Sequence, residues 1–148
     1  MTQGKRGKAT AKKAVERLER QKRGYAAQAK AVRFERKVGE YVSKLGYQVS
    51  YEKPIAGNRF DVFGQKKDPL WGQKQYFIAE CKTGERVTAR DVLHFMNKLN
   101  QFYERLTSDL LLGKPSVKAL LAYTGELDKD ACGATKVFKP SIEFKKFT

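Results

Sequence analysis

Three carboxylates in this chain stand where apolar structure is expected. Asp61 lies inside Phe60-Asp61-Val62-Phe63, Glu80 closes the run Phe77-Ile78-Ala79, and Glu35 sits beside Ala31, Val38 and Val42 at helical spacing. Aspartate is depleted in strands, and a half-buried unpaired charge is costly. One such residue is usually a local hydrogen-bond acceptor; three that converge need a common reason. Lys82 adds to the set. Strand side chains repeat with period two, so Glu80 and Lys82 project from one face and Cys81 from the other, into the core. Asp61, on the adjacent strand, reaches the same end of that face. Two carboxylates and an ammonium in a small volume, with positions left for water, suit Mg2+ or Mn2+.

The triplet Glu-x-Lys is weak alone. It occurs as Glu35-Arg36-Lys37, Glu80-Cys81-Lys82 and Glu143-Phe144-Lys145. On a helix Glu35 and Lys37 do not face each other, and no acid-bearing strand precedes Glu143. Only residues 80–82 follow a strand bearing an aspartate, a loop and an apolar strand.

The elements that must position these groups are legible in the spacing. Ala27, Ala31, Phe34, Val38, Tyr41, Val42 and Leu45 predict an amphipathic helix stopped by Gly46. Tyr47, Val49 and Tyr51 alternate as a strand, Pro54 and Gly57-Asn58 make a turn, and 60–63 is a second short strand ended by Gly64. Residues 65–74 read as a connecting loop with Asp68-Pro69 and Gly72 as turn residues, and 75–82 as a third strand. Thr88 with Asp91 marks a helix start. Val92, Phe95, Met96, Leu99, Phe102, Tyr103 and Leu106 continue that helix, closed by Gly113 and Pro115. Val117–Tyr123 is a buried strand, and Val137-Phe138 and Ile142–Phe144 are edge elements. The order is helix, three-stranded meander, helix, strand: an α/β fold with a mixed sheet flanked by helices, its fourth strand parallel to the third.

Length and charge bound the function. At 148 residues with 41% hydrophobic content the chain makes one domain-sized core. No apolar run approaches the ~20 residues of a membrane span, and the first residues lack the apolar stretch of a secretory signal. Two cysteines, Cys81 and Cys132, and one histidine, His94, exclude a disulfide framework and a zinc cluster. The net charge of +15 attracts polyanions. It is concentrated at residues 1–33, where eleven Lys and Arg face only Glu16 and Glu19. Residues 1–12 read as a disordered basic tail, and 13–33 as an exposed helix with Gly24 as its weak point. Lys12, Lys13, Arg17, Arg20, Lys22 and Arg23 are candidates for clamping a nucleic-acid backbone. Asn58, Arg59, Arg86 and Arg90 are candidates for phosphate contact beside the acids. His94 is read as a surface residue, Asn97, Lys98 and Gln101 as a solvated face, Trp71 as packing on its own sheet, and Tyr25, Tyr47 and Tyr51 as structural.

With Glu35 on the helix, Asp61 in FDVFG, Glu80 and Lys82 in FIAECK, and VTARDVLHFMNKL following, the chain resembles the PD-(D/E)xK nuclease superfamily over roughly residues 27–123. The look is nearest to Mrr-like nucleases and Holliday-junction resolvases. Phe60 stands where the family often has proline, and KPIAGNRFD lacks the serine usual near the second strand of archaeal junction resolvases. The resemblance implies a restriction-endonuclease-like core at 27–148 behind a basic, flexible or helical arm at 1–26. It implies Asp61, Glu80 and the Cys81 backbone carbonyl as metal ligands, and Glu35 holding a second ion or a water. Lys82 would position the attacking water or stabilise the phosphorane. The expected activity is Mg2+- or Mn2+-dependent cleavage of double-stranded or branched DNA by a cytoplasmic, nucleoid or viral-host homodimer. The alternatives are a four-way-junction resolvase of the same fold, a DNA- or RNA-binding protein that does not cut, and a structural accessory factor.

Overall fold

The computed structural model describes residues 3–55, 57–107, 116–134 and 142–148, with side chains from residue 9 onward. In chain order the elements are α1 (Gln3–Lys44), β1 (Gln48–Ile55), β2 (Asn58–Lys67), β3 (Lys74–Lys82), β4 (Arg86–Val87), α2 (Ala89–Thr107), β5 (Ser116–Tyr123), β6 (Glu126–Leu127), α3 (Lys129–Gly133) and β7 (Ile142–Lys146). The chain divides into two compact units, Met1–Arg33 and Phe34–Thr148.

The first unit is helical from Gln3, where the sequence pattern predicts a disordered tail. Gly24 does not interrupt the helix. Its penalty of about 1 kcal/mol is small against the strong helix formers around it. Every described side chain from 9 to 30 is exposed, Lys12, Lys13, Arg17, Arg20, Lys22 and Arg23 among them. Tyr25, expected to be structural, is 70% exposed.

The second unit is α/β. Five strands form one mixed sheet in the order β1-β2-β3-β5-β7. β1, β2 and β3 pair antiparallel; β5 lies parallel to β3, and β7 parallel to β5 at the edge. Each sheet face carries its own core. Phe34, Val38 and Val42 of α1 pack with Val62, Phe77, Ala79, Leu120 and Ala122. On the other face Val92, Phe95, Met96, Leu99 and Phe102 of α2 pack with Phe60, Phe63, Ile78 and Leu121. Gly46, at φ +94, ends α1 as its spacing predicts. Leu45 lies past that end and is 44% exposed rather than part of the apolar stripe.

Residues 65–74 are a hairpin rather than a loop, for Gln65↔Tyr76, Lys66↔Gln75 and Lys67↔Lys74 continue the ladder. Backbone pairing does not require apolar side chains, so a polar stretch can still be strand. Gly64 does not end its strand either. It lies under α1, where an added Cβ would stand 2.9 Å from both Tyr47 Cβ and Val42 Cγ1, so it permits close packing rather than a turn. The small parallel pair β4·β6 and α3 carry too few residues to show a period. Val137-Phe138 lie outside the described residues. Among the described residues no helix is long and apolar enough to cross a membrane.

Candidate active site

Asp61 and Glu80 stand where β2 and β3 part. Their ladder runs from Lys67↔Lys74 to Val62↔Ala79. One step further Asp61 would face Glu80, but here a side chain takes over from the backbone: the Cys81 N–H donates to Asp61 Oδ2 at 2.9 Å. The alternation of β2 breaks at the same residue. Phe60 belongs to the core under α2, whereas Val62, two positions on, belongs to the core under α1. On β1, between the pairs Tyr51↔Val62 and Lys53↔Phe60, Glu52 holds φ +48. A non-glycine residue in the left-handed region stores about 1–3 kcal/mol, and such strain concentrates at functional sites. The ladder is thus interrupted on both sides of Asp61, and the Cys81 N–H holds its carboxylate there.

Glu80 is 6% exposed, the one buried charged residue among those described. Lys98, from α2, lies 3.4 Å from both Glu80 carboxylate oxygens and donates to the Arg59 carbonyl at 3.0 Å. Burial raises the Glu80 pKa, the Asp61 charge raises it further, and Lys98 and Lys82 oppose both. Glu35 is pushed up to about 7, first by burial and then by Asp61 and Glu52, against Arg36 and Arg59. The Cys81 thiol, on the α1 side, is raised by burial and then by Asp61, Glu35 and Glu80. The Asp61 charge therefore acts on both Glu80 and Glu35. Lys82, which opposes the rise at Glu80, has its Nζ 3.8 Å from Asp91 Oδ1. Asp91 also caps α2, accepting from Thr88 N–H at 3.0 Å through Oδ2, as the cap signature predicts.

The other candidates divide. Asn58 donates its amide to Gln101 Oε1, and Arg59 meets Lys98 through its carbonyl and Glu35 through its charge. Arg86 pairs with Asp128 at 3.2 Å, and Arg90 is exposed in the first turn of α2. The six basic residues of the arm belong to the other unit. His94 is exposed on α2.

Lys98, which its spacing assigns to a solvated face, instead contacts the buried Glu80. A signal for it exists. Asp91, Lys98 and Gln101, seven and three residues apart, fall on one line of the helix, and that line meets Lys82, Glu80 and Asn58 in turn.

Among the described residues no three His, Cys, Asp or Glu side chains form a ready cage for a metal ion. The donors present still suit one kind of ion. Mg2+ binds through one or two carboxylates, keeps several waters and takes further oxygens from substrate phosphates. Burial comes first in raising Glu80 and Glu35; the Asp61 charge that adds to it is what a divalent cation would relieve.

The raised carboxyls set a pH dependence. Between the ordinary value of 4.5 and about 7, the folded state keeps protons that the unfolded chain has lost. Stability contributed by these groups therefore falls as pH rises through that window. Calorimetry of metal-free protein is expected to show Tm falling more steeply over this range than in the Glu35→Gln/Glu80→Gln double variant. Parallel curves would contradict the shifts.

Comparison with known proteins found no matching family model, no matching curated protein and no matching solved structure.

Proposed function

We propose that the Phe34–Thr148 unit is a Mg2+- or Mn2+-dependent DNA endonuclease built on a restriction-endonuclease-like core. The supporting observation is Asp61 and Glu80 at the parting of β2 and β3, with Glu35 within electrostatic reach of Asp61 and two lysines beside Glu80. Asp61 and Glu80 would hold the ion, helped by the Cys81 carbonyl, with Glu35 on a second ion or a water. The bound ion supplies positive charge that offsets the repulsion between phosphate and hydroxide and lowers the pKa of water. The Cys81 N–H fixes the Asp61 carboxylate in orientation. Glu35, pushed up to about 7, is suited to holding or passing a proton near neutral pH. Lys82, two residues beyond Glu80 on the same face, is a compact charge that can position the attacking water or follow the changing phosphoryl oxygens. This chemistry uses neither a histidine nor a cysteine nucleophile.

The substrate class is DNA, double-stranded or branched, with the exposed basic residues of α1 as backbone contacts. A homodimer would supply the two sites that a double-strand break needs. A second reading has an observation of its own: the Lys98 ammonium already neutralises Glu80, as it would in a nucleic-acid binder that does not cut. Incubation of plasmid, linear and four-way DNA with Mg2+ separates the two. Metal-dependent products, absent with Glu80→Ala, are expected. Binding with a steep salt dependence, no products and no effect of Asp61→Ala would favour the binder.

A further inference from the structure

The most exposed large apolar side chains described are neighbours. Leu70 and Trp71 are 85% and 84% exposed, at the tip of the β2–β3 hairpin and far from the acids. From Asp61 to Lys67 is about 20 Å at ~3.3 Å per residue, and the tip lies beyond. The sequence predicts that Trp71 packs on its own sheet, but among the described residues it belongs to neither apolar core. Two adjacent large apolar side chains this exposed are a candidate contact surface.

The tip is also held in shape. Asp68 Oδ1 accepts from the Leu70 N–H at 2.9 Å, Asp68 N–H donates to the Gln73 carbonyl at 2.8 Å, and Gly72 N–H returns to the Asp68 carbonyl at 2.8 Å. Gly72 adopts φ +65. The backbone of the turn therefore has little freedom left to lose on binding. Behind the tip, Lys66, Lys67 and Lys74 with Gln48 and Gln65 line an open cavity of about 300 Å3 that has no acidic residue in its wall. The one acid of the turn, Asp68, is engaged with Leu70. Lys66 also donates to the Leu45 carbonyl at 3.2 Å and lies over the Tyr47 ring, which fixes its charge in place.

We propose that this hairpin is a second nucleic-acid contact, in which Trp71, with Leu70, stacks on an unpaired or unstacked base while the lysines behind it hold the strand's phosphates. An aromatic platform in front of a basic groove is the arrangement that binds single strands, and apolar wedges on basic ribbons unstack duplex steps. The lysines match a polyanion, and the stacking surface selects bases over bare phosphate. This deepens the DNA reading by favouring substrates that expose bases: gaps, flaps and junctions.

The chain has one tryptophan, so its emission reports the tip directly. The full chain, without metal, is titrated with oligothymidylate, with a four-way DNA junction and with anionic phosphatidylserine vesicles. Quenching by the DNA probes is expected in the wild-type chain; anisotropy of a dye-labelled oligothymidylate, which needs no tryptophan, is expected to show binding weakened about tenfold in Trp71→Ala and largely kept in Trp71→Phe. Unchanged emission at saturating DNA, or equal affinity in Trp71→Ala, would overturn the proposal. So would a blue shift on vesicles without quenching by DNA, which would make the tip a lipid contact. Metal-free binding keeps this result separate from cleavage. A silent Trp71 in a cutting enzyme sinks only the wedge, and a quenched Trp71 in a protein that never cuts sinks only the nuclease.

Discussion

Asp61→Asn is expected to lower Mg2+-dependent cleavage about a thousandfold, the scale of losing one strong electrostatic contact to the transition state, while leaving the protein folded. The choice of asparagine follows from geometry. Asp61 Oδ2 accepts the Cys81 N–H where the β2–β3 ladder has ended, and an amide oxygen can accept the same bond. Alanine cannot. Asp61→Ala leaves a part-buried N–H without its partner, at about 1–3 kcal/mol, so lost activity there confounds folding with chemistry. Asparagine removes the charge and keeps the bond. It also removes the neighbour that raises Glu80 and Glu35, so both carboxyls should titrate lower, a change that carboxyl carbon NMR can follow. Single-turnover cleavage gives the rate. Activity within tenfold of wild type, with the two carboxyls shifted down as expected, would show that the Asp61 charge takes no part in the reaction.

How much of this site was readable depends on which forces fixed each residue. Local patterns were visible. The strands carrying Asp61 and Glu80 follow from their flanking apolar residues, and the Thr88–Asp91 cap follows from spacing of three. The parallel return of β5 follows from the helix before it. What failed was any inference needing knowledge of backbone shape. Strict alternation places Phe60 and Val62 on one face, and the interruption at Asp61 and Glu52 puts them on opposite faces. There the Asp61 carboxylate meets a backbone N–H of the neighbouring strand, a partner no side-chain pattern encodes. The hairpin at 65–74 was missed because its residues are polar and its pairing uses only main-chain groups. Lys98 was missed because a helix face counts as solvated until the element opposite it is known. Its partner, Glu80, is eighteen residues away in sequence and 3.4 Å away in space.

Lys98 therefore carries the second large expectation. Lys98→Ala should destabilise the metal-free protein by about 3 kcal/mol at pH 8, since removing one partner of a buried pair leaves the other charge uncompensated. Glu80 is 6% exposed and already faces Asp61, so without the ammonium its carboxylate would be held beside like charge in a poorly hydrated place. The loss should shrink as pH falls, because a Glu80 pKa raised further still is satisfied by taking a proton. The double variant Lys98→Ala/Glu80→Gln should recover most of the stability, for it has no charge left to compensate. A divalent cation makes the sharpest distinction. If Glu80 is an ion ligand, Mn2+ competes in wild type with the Lys98 ammonium for the same two oxygens, and in Lys98→Ala it has them to itself. Mn2+ should then raise the Tm of Lys98→Ala more than that of wild type, and calorimetric titration should show tighter binding in the variant. If Glu80 is only the partner of a structural salt bridge, Mn2+ rescues neither protein. Lys98→Ala would then stay destabilised at every Mn2+ concentration, and the acids would have to be assigned to holding the end of the β2–β3 ladder rather than to cutting DNA.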